Sequence, residues 1–202
     1  MPEVVTIIFD NSLASQNQDY LPSRYVLQKE VIDSLITRIF ENDSQSLIGL
    51  IPLSQKDRND IITPTNSRKH LTTFLLQRDL FHGTNRRLCL FQADHSLKLS
   101  EFSEKTLYFF MGTEIENSDQ FLIDLYEMAA RGSIIKLICF GETKDFGKLI
   151  ADQNAGFENL SVLIVNPDDD FNFKVNSFLI SGNQKYIDPD IEEAIRRSLL
   201  EK

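Results

Sequence analysis

Several things this chain has little of restrict what it can be. It holds only eight glycines in 202 residues, none of them clustered, and the stretch Asp10 to Asp19 after the first apolar run has none. That argues against a glycine-rich turn cradling a dinucleotide or a nucleoside phosphate. Cysteine is nearly absent: Cys89 and Cys139 lie far apart inside apolar segments, which suits reduced, buried thiols better than a disulfide framework. Basic residues are outnumbered, 21 Lys and Arg against 30 Asp and Glu for a net charge of −9. Such a surface repels a nucleic-acid backbone or an anionic membrane at long range, so neither is an expected partner. No run approaches the roughly 18 uninterrupted apolar residues of a membrane span. The opening "MPEVVTIIFD" also lacks the basic start and long apolar stretch of a secretion signal. An intracellular, soluble protein is expected.

Signs of catalysis are equally sparse. His70, His82 and His95 have no metal-ligand spacing with one another or with the cysteines, and no nucleophile-elbow motif occurs. A phosphatase of the haloacid dehalogenase type would start, as this chain does, with an apolar strand ending in Asp, but would need a second Asp where Ser12 stands. No enzyme activity, cofactor or metal is expected.

Apolar runs of strand length alternate with longer segments of helical spacing. "VVTIIFD" (4–10), "LIGLIPL" (47–53), "TLYFFMG" (106–112), "SIIKLICF" (133–140) and "LSVLIVN" (160–166) are almost continuously apolar, as strands buried on both faces of a mostly parallel sheet must be. Between them, segments 21–42, 66–77, 85–97, 118–132 and 143–156 repeat apolar residues at three- and four-residue intervals. Pro22 near a helix start, Asn66 and Ser118 as N-caps, and Gly132 and Gly156 as helix ends supply the boundaries. "DIITPTN" (60–66) follows the 47–53 strand too soon for a crossover, which makes it an antiparallel edge strand, a place that tolerates Pro64. The alternation predicts an α/β fold: a doubly wound, mostly parallel sheet with one antiparallel edge strand and helices on both faces, plus a C-terminal helix.

Ligands of such sheets gather at the carboxyl ends of the strands. Asp10 and Ser12 fall on that rim, with Thr84 in "HGTNRR" nearby. The Asp-x-Ser pair resembles the metal site of von Willebrand factor A domains, which adds a second Ser, a Thr and a later Asp. Here Ala14 stands at the second Ser and Gly112 at the later Asp, while Thr84 can stand for the Thr. With a hydroxyl and a carboxylate missing from the oxygen set a hard cation needs, the rim reads as a degenerate metal site with a structural or docking role. Asp10 is then expected to organise its loop by accepting hydrogen bonds from backbone amides.

The chain ends "DPDIEEAIRRSLLEK". On a helix Ile191, Ala194, Ile195, Ser198 and Leu199 line one face. Glu192 to Arg196 and Glu193 to Arg197 are four apart with the acid first, adding about 0.2–0.5 kcal/mol per pair. Leucines at 194 and 198 would bury more area in a core, about 0.8 kcal/mol per methylene. Small residues there suit a foreign surface that must approach the helix axis closely. The pattern resembles the ubiquitin-interacting motif: Asp188 and Asp190, then Ile191, Ala194, Ser198 and Glu201 stand in its places. By that resemblance Asp190, Ile191, Ala194, Ile195, Ser198, Leu199 and Glu201 bind ubiquitin.

Taken together, "FDNS" (9–12), "DYLPSR" (19–24), "IGLIPL" (48–53), "GT" (83–84), "CFGE" (139–142) and the terminal pattern resemble the ubiquitin-receptor subunits of the proteasome regulatory particle. The resemblance implies an A domain over residues 1–183 that docks on base and lid subunits. It implies a ubiquitin-interacting helix over 184–202 that captures ubiquitin chains, and a home in cytoplasm and nucleus. An A-domain scaffold of another intracellular complex would share the sheet but have no use for Ala194 and Ser198.

Overall fold

Each of the five apolar runs, and the edge segment 60–66, becomes a strand in the computed structural model, which describes residues 1–57, 60–153 and 156–180. The strands are β1 (Val4–Phe9), β2 (Leu47–Pro52), β3 (Ile62–Thr65), β4 (Lys105–Met111), β5 (Ile134–Cys139) and β6 (Leu160–Ile164). They form one sheet in the order β3-β2-β1-β4-β5-β6. All neighbours are parallel except β2 and β3. The antiparallel edge strand expected from the short 54–59 connection is therefore present, with Pro64 on the outermost strand where no ladder partner is lost.

The continuous apolar character of the runs follows from double-sided burial. Val5, Ile7 and Phe9 of β1 join one core with Tyr108 and Phe110 of β4. Val4 and Ile8 join the other with Leu107, Phe109 and Met111. The first core is covered by α1 (Arg24–Asn42), α2 (Arg68–Gln77) and α6 (Phe171–Ile180). The second is covered by α3 (Arg86–Lys98), α4 (Ser118–Ala130) and α5 (Lys144–Gln153). Helices on both faces, and with them the α/β class, are as expected. Each fully buried Val, Leu, Ile or Phe contributes about 1.5–3 kcal/mol relative to exposure.

Helix boundaries bring corrections. The residue preceding α2 is Ser67 rather than Asn66, and that preceding α4 is Asn117, at φ 54°, rather than Ser118. Asn is among the few non-glycine residues that reach this left-handed region at small cost. Ser23, just after Pro22, caps α1 by accepting from the Val26 amide. Gly132 closes α4 at φ 90°, as expected of a glycine beyond a helix end. Helix α6 was not anticipated. Its signals are Phe171, Val175 and Leu179 at four-residue spacing on the core, and Asp170, which accepts from the Phe173 amide. The aromatic mixture of "FNFKVNSFLI" hides that stripe. The last turn of α6 is tied down by Lys136 of β5, whose Nζ donates to the carbonyls of Phe178 and Leu179 at 3.2 and 3.3 Å.

The domain boundary at 183 and the C-terminal helix with Asp190, Ile191, Ala194, Ile195, Ser198, Leu199 and Glu201 lie outside the described residues. Both cysteines are buried, and burial pushes each thiol up to about 12.

Tyr20 links distant parts of the first core. Its ring meets Phe140 and Phe171 edge-on at 6.0 Å each. Its hydroxyl donates to the Val165 carbonyl at 2.8 Å and accepts from the Gly141 amide at 3.1 Å. Tyr20→Phe leaves both backbone groups unpaired and is expected to lower stability by about 1–3 kcal/mol, read as a shift of the urea midpoint with an unchanged slope. An unchanged midpoint would show that water replaces the hydroxyl at no cost.

Candidate functional site

In the strand order, β1 and β4 are the neighbours where the direction of winding reverses, and the crevice above their carboxyl ends is where ligands of open α/β sheets bind. Asp10 follows β1 there, and Gly112 and Thr113 follow β4. The two strand ends are joined across the crevice. Asp10, with none of its surface exposed, accepts from the Ser12 amide at 2.9 Å, the Gly112 amide at 3.1 Å and the Thr113 hydroxyl at 2.5 Å. Thr113 has a single hydroxyl proton, and a carboxylate only accepts, so Ser12 must be the donor in the 2.6 Å contact between the Ser12 and Thr113 hydroxyls. Both side chains expected on the rim, Asp10 and Ser12, are thus brought together through a residue the sequence reading did not single out.

The third rim residue behaves differently. Thr84 accepts from the Arg86 guanidinium at 3.2 Å and is not among the hydrogen-bond partners of Asp10. Arg86 itself is only 7% exposed and also donates to the Thr113 carbonyl at 2.6 Å. Burial pushes its pKa down, and the negative charge of Asp10 and then of Glu116 pushes back. A fixed cation therefore already balances the charge of Asp10. Glu114, the next carboxylate along the chain after Gly112, is exposed to solvent.

The floor of the rim is equally committed. The Asp10 backbone exchanges two hydrogen bonds with the Gln28 side chain, at 2.9 and 3.1 Å. Asn11 does the same for the β2 exit, donating to the Ser54 carbonyl at 3.0 Å and accepting from the Ser54 amide at 2.7 Å. Gly112 has no room for a side chain: a Cβ there would collide with the Phe140 ring. The position at which A domains place their later Asp is filled by an aromatic edge. The residues present do not fit a hexacoordinate hard cation, because the Asp10 oxygens already take three hydrogen bonds, Ala14 stands in place of a second hydroxyl, and no second carboxylate can enter at 112. Among the described residues no group of three or more His, Cys, Asp or Glu forms a possible metal set.

One side of the rim is closed by a charge clamp. Arg24, with its side chain 4% exposed, reaches Asp19 at 2.6 Å, Glu142 at 2.5 Å and the Gly112 carbonyl at 3.0 Å. Burial works to lower the Arg24 pKa, but the hydrogen bonds to Asp19 and Glu142 outweigh it and the net direction is upward. Gly141 sits at φ 57°, and a Cβ there would run into the Arg24 guanidinium. "DYLPSR" and "CFGE" are therefore two halves of one structure. Neither half announces this alone: the signal is an Arg at the start of α1 and an acid just after β5, which only the sheet order brings together.

Gly112→Ala is expected to overpack Phe140 and cost about 1–3 kcal/mol in chemical denaturation. A neutral result would mean that the ring moves aside freely. The Arg24 hydrogen bond holds the Asp19 carboxyl below its ordinary value. Such a group contributes stability above its unfolded pKa and loses it as pH falls through the lowered folded value. Asp19 is partly solvated, so the contribution is small. The melting-temperature deficit of Asp19→Asn should shrink between about pH 5 and pH 2, and a constant deficit would show that the pairing carries no charge term.

Comparison with known proteins bears on this geometry. No family model matches the chain. The 26S proteasome non-ATPase regulatory subunit 4 homolog of Oryza sativa subsp. japonica is 20% identical over 146 residues, 71% of this chain. The chain spans 36% of the length of that relative. Among solved structures, the SpRpn10 VWA domain superposes with a TM-score of 0.74 at 18% identity, covering 93% of this chain and 100% of that one. An aerotolerance-related membrane protein from Bacteroides fragilis follows at 0.64 and 14% identity, covering 87% of this chain and 96% of its own. The PilB minor pilin of Streptococcus sanguinis gives 0.68 and 12% identity, covering 89% and 60%. The chain is a von Willebrand factor A-like α/β protein, similar in sequence to a proteasome regulatory subunit and in fold to the Rpn10 A domain.

Proposed function

We propose that this protein is a non-catalytic subunit of the proteasome regulatory particle. Its A domain docks at the junction of base and lid, and its C-terminal stripe binds ubiquitin chains on substrates, in cytoplasm and nucleus. The observation that carries the reading is a rim at the β1/β4 crevice whose polar groups are spent on one another, in a chain that the Rpn10 VWA domain matches over 93% of its length. A crevice tied shut by hydrogen bonds offers neither a cation nor a nucleophile to a substrate, but it presents a rigid surface for another protein. Similarity to the rice proteasome subunit supplies the complex.

The ubiquitin part rests on the terminal sequence. Ile191, Ala194, Ile195 and Leu199 supply apolar contact. Ala194 permits close approach, Ser198 supplies a hydroxyl for a backbone group, and Asp190 and Glu201 supply negative flanks. One such helix holds one ubiquitin weakly, and chains gain by avidity. Among the described residues no helix is long and apolar enough to cross a membrane.

The test is retention on immobilised ubiquitin chains. The wild-type chain should be retained, and the double variant Ala194→Asn with Ser198→Asp should fall to background. Equal retention of the two rules the assignment out.

A further inference from the structure

The sheet ends in two different edges. On one side β3 is four residues long and holds Pro64, which has no amide proton to offer a further strand. On the other side β6 reads Leu160-Ser161-Val162-Leu163-Ile164, with neither a proline nor a charged residue. Prolines and charges are common devices that stop an edge from recruiting another strand, and β6 carries neither.

The register fixes which backbone groups of β6 face outward. The Ile135 amide donates to the Asn159 carbonyl at 2.7 Å and the Val165 amide to the Cys139 carbonyl at 2.9 Å, one at each end of the parallel β5–β6 pair. In a parallel ladder alternate residues bond to the neighbouring strand and those between them point away. Asn159, Ser161, Leu163 and Val165 therefore face β5, while Val162 and Ile164 turn their amides and carbonyls outward. Among the described residues nothing hydrogen-bonds to the outward groups of these two. Both are half-buried. Leu163 packs on the first core and Val162 on the second, so a strand laid beside β6 would extend the apolar surface of both.

The surroundings of this edge are of one charge sign. Residues 156–170 include Glu158, Asp168, Asp169 and Asp170 and no Lys or Arg. Glu158, Asp168 and Asp170 are exposed, and Asp169 is paired with Lys174 at 3.1 Å. Antiparallel pairing of two copies through β6 would bring these acids toward one another in chains of net charge −9, which disfavours a second copy as the occupant.

We infer that the β6 edge binds an extended segment of another protein, apolar at alternate positions and with Lys or Arg at its ends, which adds antiparallel to the sheet. Main-chain hydrogen bonds to Val162 and Ile164 supply the attachment. Apolar side chains beside Val162 and Ile164, and basic ends near Glu158 and Asp168, supply the selectivity. The inference uses neither the ubiquitin reading nor the rim.

The experiment follows the amide signals of the isotope-labelled full-length chain during titration with an end-blocked peptide, Lys-Val-Thr-Val-Thr-Val-Lys. Val162 and Ile164 should shift saturably at millimolar peptide, while Ser161 and Leu163, whose amides are bonded to β5, should move much less. The same peptide N-methylated at its valine amides keeps the side chains and charges but cannot bond to the edge, and should leave the signals in place. Replacing both peptide lysines by glutamates should weaken binding several-fold. In Val162→Pro only an outward amide is lost, so the β5 ladder is kept and peptide affinity should fall several-fold. Unmoved Val162 and Ile164 signals at millimolar peptide overturn the inference. Equal binding of the methylated peptide overturns it too, by showing an apolar contact without strand addition. Shifts at Val162 and Ile164 that grow with protein concentration alone, with a doubled mass in sedimentation, overturn it by giving the edge to a second copy.

Discussion

The rim of this protein depends on one buried carboxyl group. Asp10 sits where the sheet's winding reverses, with no surface exposed, and its oxygens take hydrogen bonds from two backbone amides and a hydroxyl. Leaving such a group unsatisfied costs more than any single contact around it returns, so its partners are fixed by its presence. That fixes Gly112 and Thr113 against the end of β1, holds the Ser12 hydroxyl on Thr113, and brings Arg86 to the Thr113 carbonyl. A crevice that other folds of this class keep open for a ligand is here filled by the protein's own hydrogen bonds.

A second layer of polar contacts extends from that centre. Arg24 ties the Gly112 carbonyl to Asp19 and Glu142, and Tyr20 ties the Gly141 amide to the end of β6. Exposed ion pairs contribute little, but a guanidinium 4% exposed with two carboxylates and a carbonyl on it is a different case. Removing either acid leaves the buried guanidinium with one carboxylate fewer, and the shared contacts tie the segments bearing these residues to the end of β4.

How much was legible beforehand can be traced element by element. Double-sided burial forces strands to be apolar at most positions, so β1, β2, β4, β5 and β6 were visible as runs. The six residues between the runs 47–53 and 60–66 left an antiparallel pairing as the only short connection. Helix α6 was missed because its four-residue stripe is diluted by the exposed Phe173 and blurred by Phe178, which packs beside it on the core. The caps of α2 and α4 shifted by one residue, within the latitude that capping chemistry allows among adjacent Asn and Ser. At the rim, Asp10 and Ser12 were visible as a local pair. Thr113, Gln28 and Arg86 were not, because no local pattern marks a hydroxyl, an amide or a guanidinium for a partner many residues distant.

The sequence alone determined the class of fold, the buried strands and the missing metal ligands, and it carries the terminal stripe on which the receptor reading rests. All of these are local: periodicity, spacing and residue type act between neighbours along the chain. Only the tertiary structure decided that Asp10 closes on Thr113, that "DYLPSR" and "CFGE" clasp each other through Arg24, that Phe140 fills the place of a second carboxylate, and that β6 stands at an edge of the sheet. Each of those depends on strand order, and strand order is set by the packing of two whole cores rather than by any stretch of sequence.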